Sequence, residues 1–281
     1  MKKLLVIFIL VLVVANSCSV LAEARTEKEK TEVGLALSGG AAWGLAHIGV
    51  LEVLVENEIE IDYIAGTSAG SIVGSLYASG VSPEEMKEIA EDITWIDLLR
   101  PVISDLGLFN SEQIEKFIKE NIKENQFSRL QIGLSVVATD LATGEVVILE
   151  KGKVSRAVTA SSAIPVIFEP VEYREKKLVD GGLANNLPLD VVNQQDVDIV
   201  VGVDVASSFS IAEFPRSKTE VGIRSYNIIQ KHQTDYEGAD VVIKPDLEGI
   251  RGTDFSAHKK MIARGRDAAR EMLPEIKKLL D

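Results

Sequence analysis

The sequence predicts an α/β fold, a three-layer sandwich with a mostly parallel central sheet. Three observations predict it. Short apolar runs alternate with longer stretches of helical periodicity, the pattern of strands joined by crossover helices. The runs are near-continuous rather than alternating, as strands covered on both faces require. Composition is that of an ordinary globular chain: 281 residues, 46% hydrophobic and 26% charged. That is too apolar for a disordered chain and too mixed for a membrane protein.

The chain opens on a leader. Lys2 and Lys3 precede twelve unbroken apolar residues, Leu4 to Ala15. A spanning helix needs about 20 such residues. The basic start, short apolar centre and following small residues therefore read as a signal peptide over residues 1–24, with Ala22-Glu23-Ala24 as an A-x-A cleavage site. Cys18 offers a competing reading as a lipoprotein acceptor, although Ala15 and Asn16 depart from the large and small residues usual just before such a cysteine. Either way the mature chain is expected outside the cytoplasm: periplasmic, secreted or envelope-associated. Residues 25–32 are charged and expected to be a disordered linker. The domain then runs from 33 to 281, with no internal repeat.

Gly34–Leu37 is a buried strand ending in a turn at Ser38-Gly39-Gly40. A helix from Ala42 to about Asn57 follows, with Leu45, Ile48, Leu51 and Val55 on one side and Glu52 and Glu56 on the other. Tyr63–Ala65 is a second strand, and Ser71–Ser79 a compact helix. Ser82-Pro83-Glu84-Glu85 has the form of a capped helix start. Asn110 or Ser111 opens a helix reaching about Glu124. Leu134–Thr139 and Val146–Glu150 are strands whose Thr143-Gly144 connection predicts a hairpin. Leu178-Val179, Ile199–Val205 and Val241–Lys244 are further strands. Ser256–Met272 is a helix that Pro274 is expected to interrupt before the amphipathic tail Glu275–Leu280.

Three segments can carry chemistry. Gly66-Thr67-Ser68-Ala69-Gly70 is G-x-S-x-G between a strand and a helix, the setting of a nucleophile on a sharp turn, with Gly66 and Gly70 allowing tight packing. The bland alternative is a small-residue turn that seats a helix on a sheet. Ser38–Gly44 (SGGAAWG) lies between the first strand and helix. Ala41 occupies the middle glycine of a dinucleotide fingerprint, and Leu45-Ala46 replace the Lys-Ser/Thr of a P-loop, so neither nucleotide motif fits. Bare N–H groups at a helix N-terminus suit an oxyanion hole; a close helix–strand crossing is the alternative. Asp180-Gly181-Gly182 follows a strand, where the carboxylate can sit against another backbone, or simply form a polar turn. A Ser-His-Asp triad needs a histidine at Ser68. His47 lies within the first helix and is expected to pack there, while His232 and His258 sit among polar residues and are expected to face water. A Ser-Asp dyad is the other solution, with the carboxylate's pKa raised by burial.

Taken in order, Leu37–Val53 (LSGGAAWGLAHIGVLEV), Gly66–Tyr77 (GTSAGSIVGSLY), Ser161–Pro170 (SSAIPVIFEP), Asp180–Pro188 (DGGLANNLP) and the tail from Ala239 to Ala268 resemble the patatin-like phospholipase family over almost the whole mature chain. The resemblance implies a patatin-like α/β fold and calcium-independent hydrolysis of acyl esters in lipids. It implies Ser68 as nucleophile, Asp180 as general base, and the N–H groups of Gly39, Gly40 and Ala41 as the oxyanion hole, with Gly181 and Gly182 supporting the base. Two positions depart from the usual bacterial G-G-G-x-R-G. Ala41 replaces a third glycine. Trp43 replaces arginine, which removes a cation and is expected to put an apolar ring beside the site, favouring neutral acyl esters over anionic phospholipids.

Charge and composition exclude other classes. Lys and Arg number 30 against 43 Asp and Glu, a net charge of −13, so nucleic acid is not an expected partner. The expected partners are a lipid or acyl-ester substrate and, transiently, a membrane or micelle surface reached through apolar contact. One cysteine and three histidines leave no disulfide framework and little material for a metal site, and no cofactor is implied. The remaining alternatives are an α/β-hydrolase esterase with a Ser-His-Asp triad and a non-catalytic lipid-binding envelope protein.

Overall fold

The structure is a computed structural model that describes residues 30–93, 101–102, 106–207 and 217–281. The expected signal peptide, with its candidate A-x-A site and Cys18, lies outside the described residues, as does most of the expected linker. Glu32, placed by the sequence in the expected linker, belongs to the folded unit. Glu32 donates its N–H to Asp198 Oδ2 at 2.8 Å, and its carbonyl accepts from Asp198 and Ile199. The compact unit accordingly begins at Glu32.

The strands in chain order are β1 (Val33–Leu37), β2 (Tyr63–Thr67), β3 (Gly107–Phe109), β4 (Gly133–Asp140), β5 (Val146–Leu149), β6 (Val166–Phe168), β7 (Val171–Tyr173), β8 (Lys176–Asp180), β9 (Ile199–Val203) and β10 (Val241–Ile243). The helices are α1 (Ala46–Glu56), α2 (Ala69–Ala78), α3 (Pro83–Asp92), α4 (Glu112–Asn121), α5 (Val154–Ser161), α6 (Leu189–Val192), α7 (Lys218–Gln233) and α8 (His258–Leu280). Strands β10, β9, β1, β2 and β4 lie side by side in that order and run parallel. The antiparallel strands β5, β8 and β7 complete the sheet at the β4 side, so the expected α/β fold with a mostly parallel sheet is observed. A separate parallel pair joins β3 to β6.

The register around β4 positions the site. Thr67 of β2 pairs with Val137, and Asp180 of β8 pairs with Ala138. Strand β5 pairs with Val136 through Thr139 and so overlaps both partners. It therefore takes one edge of β4, and β2 and β8 share the other, meeting end to end. The residue after Thr67 is Ser68, and it faces Asp180 across that junction.

Side chains alternate between the two faces of the sheet. Leu35, Leu37, Ile64, Val136, Val201 and Val203 join one core with Leu51 of α1, Leu76 of α2 and Met261 of α8. Ala36, Ala65, Val137 and Val200 face a smaller core with Leu187, Leu189 and Val192. The third layer is thus thin, made of the single turn α6 and its flanking chain. Helices α1 and α8 cross at glycines: a Cβ on Gly49 would overlap the Ile262 carbonyl, and one on Gly265 the Ala46 carbonyl. Glu52 beside this crossing binds both Arg266 and Lys87.

Most expected elements are present with shifted ends. The Ser82 capping box is formed in both directions, Ser82 Oγ accepting from Glu85 N–H at 3.2 Å and Glu85 Oε2 from Ser82 N–H at 2.7 Å. The β4–β5 hairpin turns at Gly144, whose φ is +75°. The first helix opens as a 3₁₀ turn over Ala41–Leu45. One expectation is overturned: α8 continues through Pro274 to Leu280. The proline costs the bond to the carbonyl of Arg270, but both residues are exposed, so solvent can take that carbonyl.

Candidate active site

Ser68 stands between β2 and α2 with φ +50° and ψ −120°. A non-glycine residue in this region is strained and persists only where its surroundings enforce it. The enforcement is visible. Ser68 N–H donates to Ser161 Oγ at 2.8 Å, and Ser161 Oγ in turn donates to the Val137 carbonyl. Ser71 Oγ donates to the Ser68 carbonyl at 2.7 Å. A Cβ on Gly66 would lie 2.7 Å from the Gly70 carbonyl oxygen, and one on Gly70 would overlap the Leu37 carbonyl, so the turn closes only with glycine at both positions.

Asp180 ends β8 and is fully buried, and Ser68 is 4% exposed. Ser68 Oγ donates to Asp180 Oδ2 at 2.6 Å. The other carboxylate oxygen accepts from Gly182 N–H at 2.9 Å and from the Tyr226 hydroxyl at 2.6 Å. Gly181 and Gly182 let this corner close: a Cβ on the first would overlap the Val137 carbonyl, and one on the second the Gln230 amide. Burial pushes the Asp180 carboxyl up from 3.8 to about 6, while the bonds from Ser68, Tyr226 and Gly182 pull it back toward the ionised form.

That shift has a consequence for stability. The proton is held more tightly in the folded chain than in the unfolded one. The associated stability is fully present below about pH 3.8 and is lost as pH rises through about 6. Asp180→Asn carries no charge to bury. It should therefore be more stable than wild type at pH 8, by on the order of 2 kcal/mol, and the gap in Tm should close at pH 4. A gap that does not depend on pH would show that the carboxylate carries no such cost.

The glycine loop packs directly on Ser68, since a Cβ on Gly39 would lie 3.2 Å from Ser68 Cβ. The three expected donors are not equivalent. Gly39 N–H is committed to the Asn186 carbonyl at 3.1 Å and is not available. Among the described residues, the N–H groups of Gly40 and Ala41 have no protein partner, and Ala41 sits at φ +48°. Asn186 also accepts from Gln230 Nε2 at 2.8 Å, which ties the loop to α7.

Ser68 opens onto a cleft of about 850 Å³ of empty space, part of it open to solvent. Ile48, Ile72, Met86, Ile114, Phe117 and Phe168 contribute to its wall, and among the described residues Ser68 and Ser162 supply its only side-chain hydroxyls. No histidine belongs to this wall among the described residues. His47 is buried in α1 and packs there, as expected. Its Nε2–H donates to the Ser38 carbonyl at 2.9 Å, and burial pulls its pKa down to about 4, so the ring is neutral at pH 7. His232 is exposed, but His258 is half-buried against the Phe255 carbonyl rather than facing water. The Ser-His-Asp arrangement is therefore not formed: the carboxylate reaches the hydroxyl with no ring between them.

Trp43 also departs from expectation. Its ring is 8% exposed and donates Nε1–H to the Ile250 carbonyl at 2.8 Å, packed over Gly252. It forms no part of the cleft wall. Four contributors escaped the sequence reading of roles: Ser161, Asn186, Tyr226 and Gln230. The first two lie inside segments that carry the family resemblance, whereas nothing in the pattern around Tyr226 marks it. Among the described residues no cluster of His, Cys, Asp and Glu could hold a metal ion, and no helix is long and apolar enough to cross a membrane.

Fold and site together define the class of protein: α/β, with a serine on a strand–helix elbow bonded to a buried carboxylate. The profile of the patatin-like phospholipases matches residues 35–193. The chain belongs to the patatin-like phospholipase family. An uncharacterized NTE family protein of Mycobacterium tuberculosis is 35% identical over 179 residues, 63% of this chain and 49% of that protein. Patatin-like phospholipase domain-containing protein 6 of Mus musculus is 31% identical over 190 residues, 62% of this chain and 14% of that protein. The chain spans about half the length of the first relative and far less of the second. Among solved structures, VipD from Legionella pneumophila superposes with a TM-score of 0.61 at 14% identity, covering 87% of this chain and 67% of that one, a likeness of fold.

Proposed function

We propose that the protein is a serine lipid acyl hydrolase, of phospholipase A or esterase type, working through a Ser68–Asp180 dyad. The observation that carries this is the 2.6 Å bond from Ser68 Oγ to a fully buried carboxylate at the end of an apolar cleft. Asp180 takes the Ser68 proton as Oγ bonds to the ester carbonyl carbon. The resulting oxyanion is received by the N–H groups of Gly40 and Ala41 at the mouth of the first helix. Collapse breaks the ester C–O bond, and the alcohol leaves with the proton held by Asp180. Water then attacks the acyl-enzyme, with Asp180 again as base, and the fatty acid departs. A raised carboxyl pKa suits this role, because a base near neutrality removes a hydroxyl proton more readily than one near 4.

The cleft wall suits an acyl chain. Ile164 and Phe168 line it, and Val166 between them is 60% exposed at φ +70°. Leu106 and Leu108 beside it are also exposed, so an apolar rim flanks the cleft. Such a rim fits transient contact with a lipid surface. Export is part of the same reading and rests on the pattern of residues 1–24.

Folded protein should be labelled by a fluorophosphonate. Variants His232→Ala and His258→Ala should keep rates within about twofold of wild type, since neither ring takes part. No labelling would favour a non-catalytic lipid binder, and loss of activity in a histidine variant would revive the triad. Assays on a p-nitrophenyl ester, a neutral glyceride and phosphatidylglycerol address headgroup choice. With Trp43 turned away from the cleft, only the missing cation supports neutral esters, and strong preference for phosphatidylglycerol would remove that idea.

A further inference from the structure

Granted the Ser68–Asp180 chemistry proposed above, we infer that Tyr226 is a positioning residue that holds the Asp180 carboxylate ionised and aimed at Ser68, making the reacting pair a Tyr226–Asp180–Ser68 chain. Asp180 has no access to solvent, so its charge is stabilised only by protein donors. There are three. Ser68 Oγ serves Oδ2, and the Gly182 N–H and Tyr226 hydroxyl serve Oδ1. The Gly182 amide is local, two residues along the chain. Tyr226 arrives from a separate helix, α7, and its 2.6 Å bond is as short as the one from Ser68.

The rest of the surroundings offer no substitute. From β4, Thr139 Oγ1 donates to the Asp180 main-chain carbonyl rather than to its carboxylate. From α5, Ser161 is taken up by Ser68 N–H and the Val137 carbonyl. No charged side chain faces the carboxylate among the described residues. Tyr226 itself is fixed. Its hydroxyl and the Gln230 amide fill the space that a Cβ on Gly182 would occupy, and Gln230, one turn further along α7, is anchored on Asn186. Burial and the adjacent carboxylate drive the Tyr226 phenol well above 10, so it stays protonated and acts as a donor throughout.

A carboxylate stripped of water binds its proton too tightly to serve as a base at neutral pH. Each donor to the charged form opposes this. Removing the Tyr226 hydroxyl therefore moves the ionisation of Asp180 upward, and activity is lost where the base has become protonated. A residue that served only packing would lower rates alike at every pH.

The test is the pH dependence of kcat/KM for a p-nitrophenyl ester, using the full chain. Tyr226→Phe keeps the ring and removes the donor. Its acid limb should move up by about one pH unit, a loss of about fivefold at pH 6 that approaches tenfold by pH 5 and recovers toward wild type by pH 9. Site-specific 3,5-difluorotyrosine at 226, a stronger donor, should move the limb down, which keeps the test decisive if the phenylalanine variant folds poorly. A limb superimposable on wild type in both proteins, or a loss uniform in pH, overturns the role of Tyr226. Ser68→Ala, run beside them, separates the two ideas: if it retains hydrolysis, the hydrolase chemistry itself has failed.

Discussion

Ser68→Ala should lower kcat for acyl-ester hydrolysis by at least about 10³-fold, and Asp180→Asn should do the same. The first removes the oxygen that bonds to the acyl carbon. The second keeps the shape and one acceptor oxygen but replaces the other with a donor and cannot accept the proton. Because the two side chains act in one step, the double variant should be no slower than either single one. Among the described residues no neighbour can take over. The other hydroxyl in the cleft, Ser162 Oγ, is buried with no hydrogen-bond partner and so has no base. Both variants should unfold cooperatively, and neither should react with a fluorophosphonate. Substantial turnover by Ser68→Ala, or additive losses in the double variant, would end the dyad proposal.

The largest effect on stability is expected far from the chemistry, at the α1–α8 crossing. Gly265→Ala adds one methyl group where the Ala46 carbonyl already sits. Both atoms belong to rigid helix backbone, so the helices must separate, opening the core that Leu51 and Met261 share. Alanine favours a helix over glycine by about 1 kcal/mol, yet the forced separation should outweigh that and leave a net loss of about 3 kcal/mol. Gly222→Ala in α7 provides the contrast. Its Cβ would meet nothing within 4 Å, so that variant should be neutral or up to about 1 kcal/mol more stable. Denaturant midpoints at equal slope would measure both. A Gly265→Ala midpoint equal to wild type would mean that the crossing is looser than described.

The parts legible in the sequence are those where local chemistry and tertiary position agree. Buried parallel strands need apolar runs, and β1, β2 and β9 have them. A strained strand-to-helix turn needs small neighbours, and Gly66 and Gly70 announce Ser68. Asp180 was legible because two glycines at a strand end mark a tight corner. The illegible parts depend on partners distant in sequence. Whether Gly39 N–H is free is decided by the carbonyl of Asn186. The direction of the Trp43 ring is decided by the Ile250 carbonyl. Helix α7 inverts the usual pattern: Val221, Ile228 and Ile229 are exposed, while Gln230 is buried. Most of its apolar side chains therefore point away from the face that carries Tyr226, Ile223 being the exception. Pro274 misled for the opposite reason, since an exposed helix surface tolerates a missing bond.

Serine and carboxylate stand end to end along one edge of β4, each placed by its own strand. Each of β2 and β8 supplies only half of the centre, and the distance between the halves is set by a third segment that holds both. Under the proposed chemistry, a chain in which β8 is not yet seated against β4 has no assembled pair and does not react. Reactivity then begins only once both strands are in register on β4, as an outcome of folding itself.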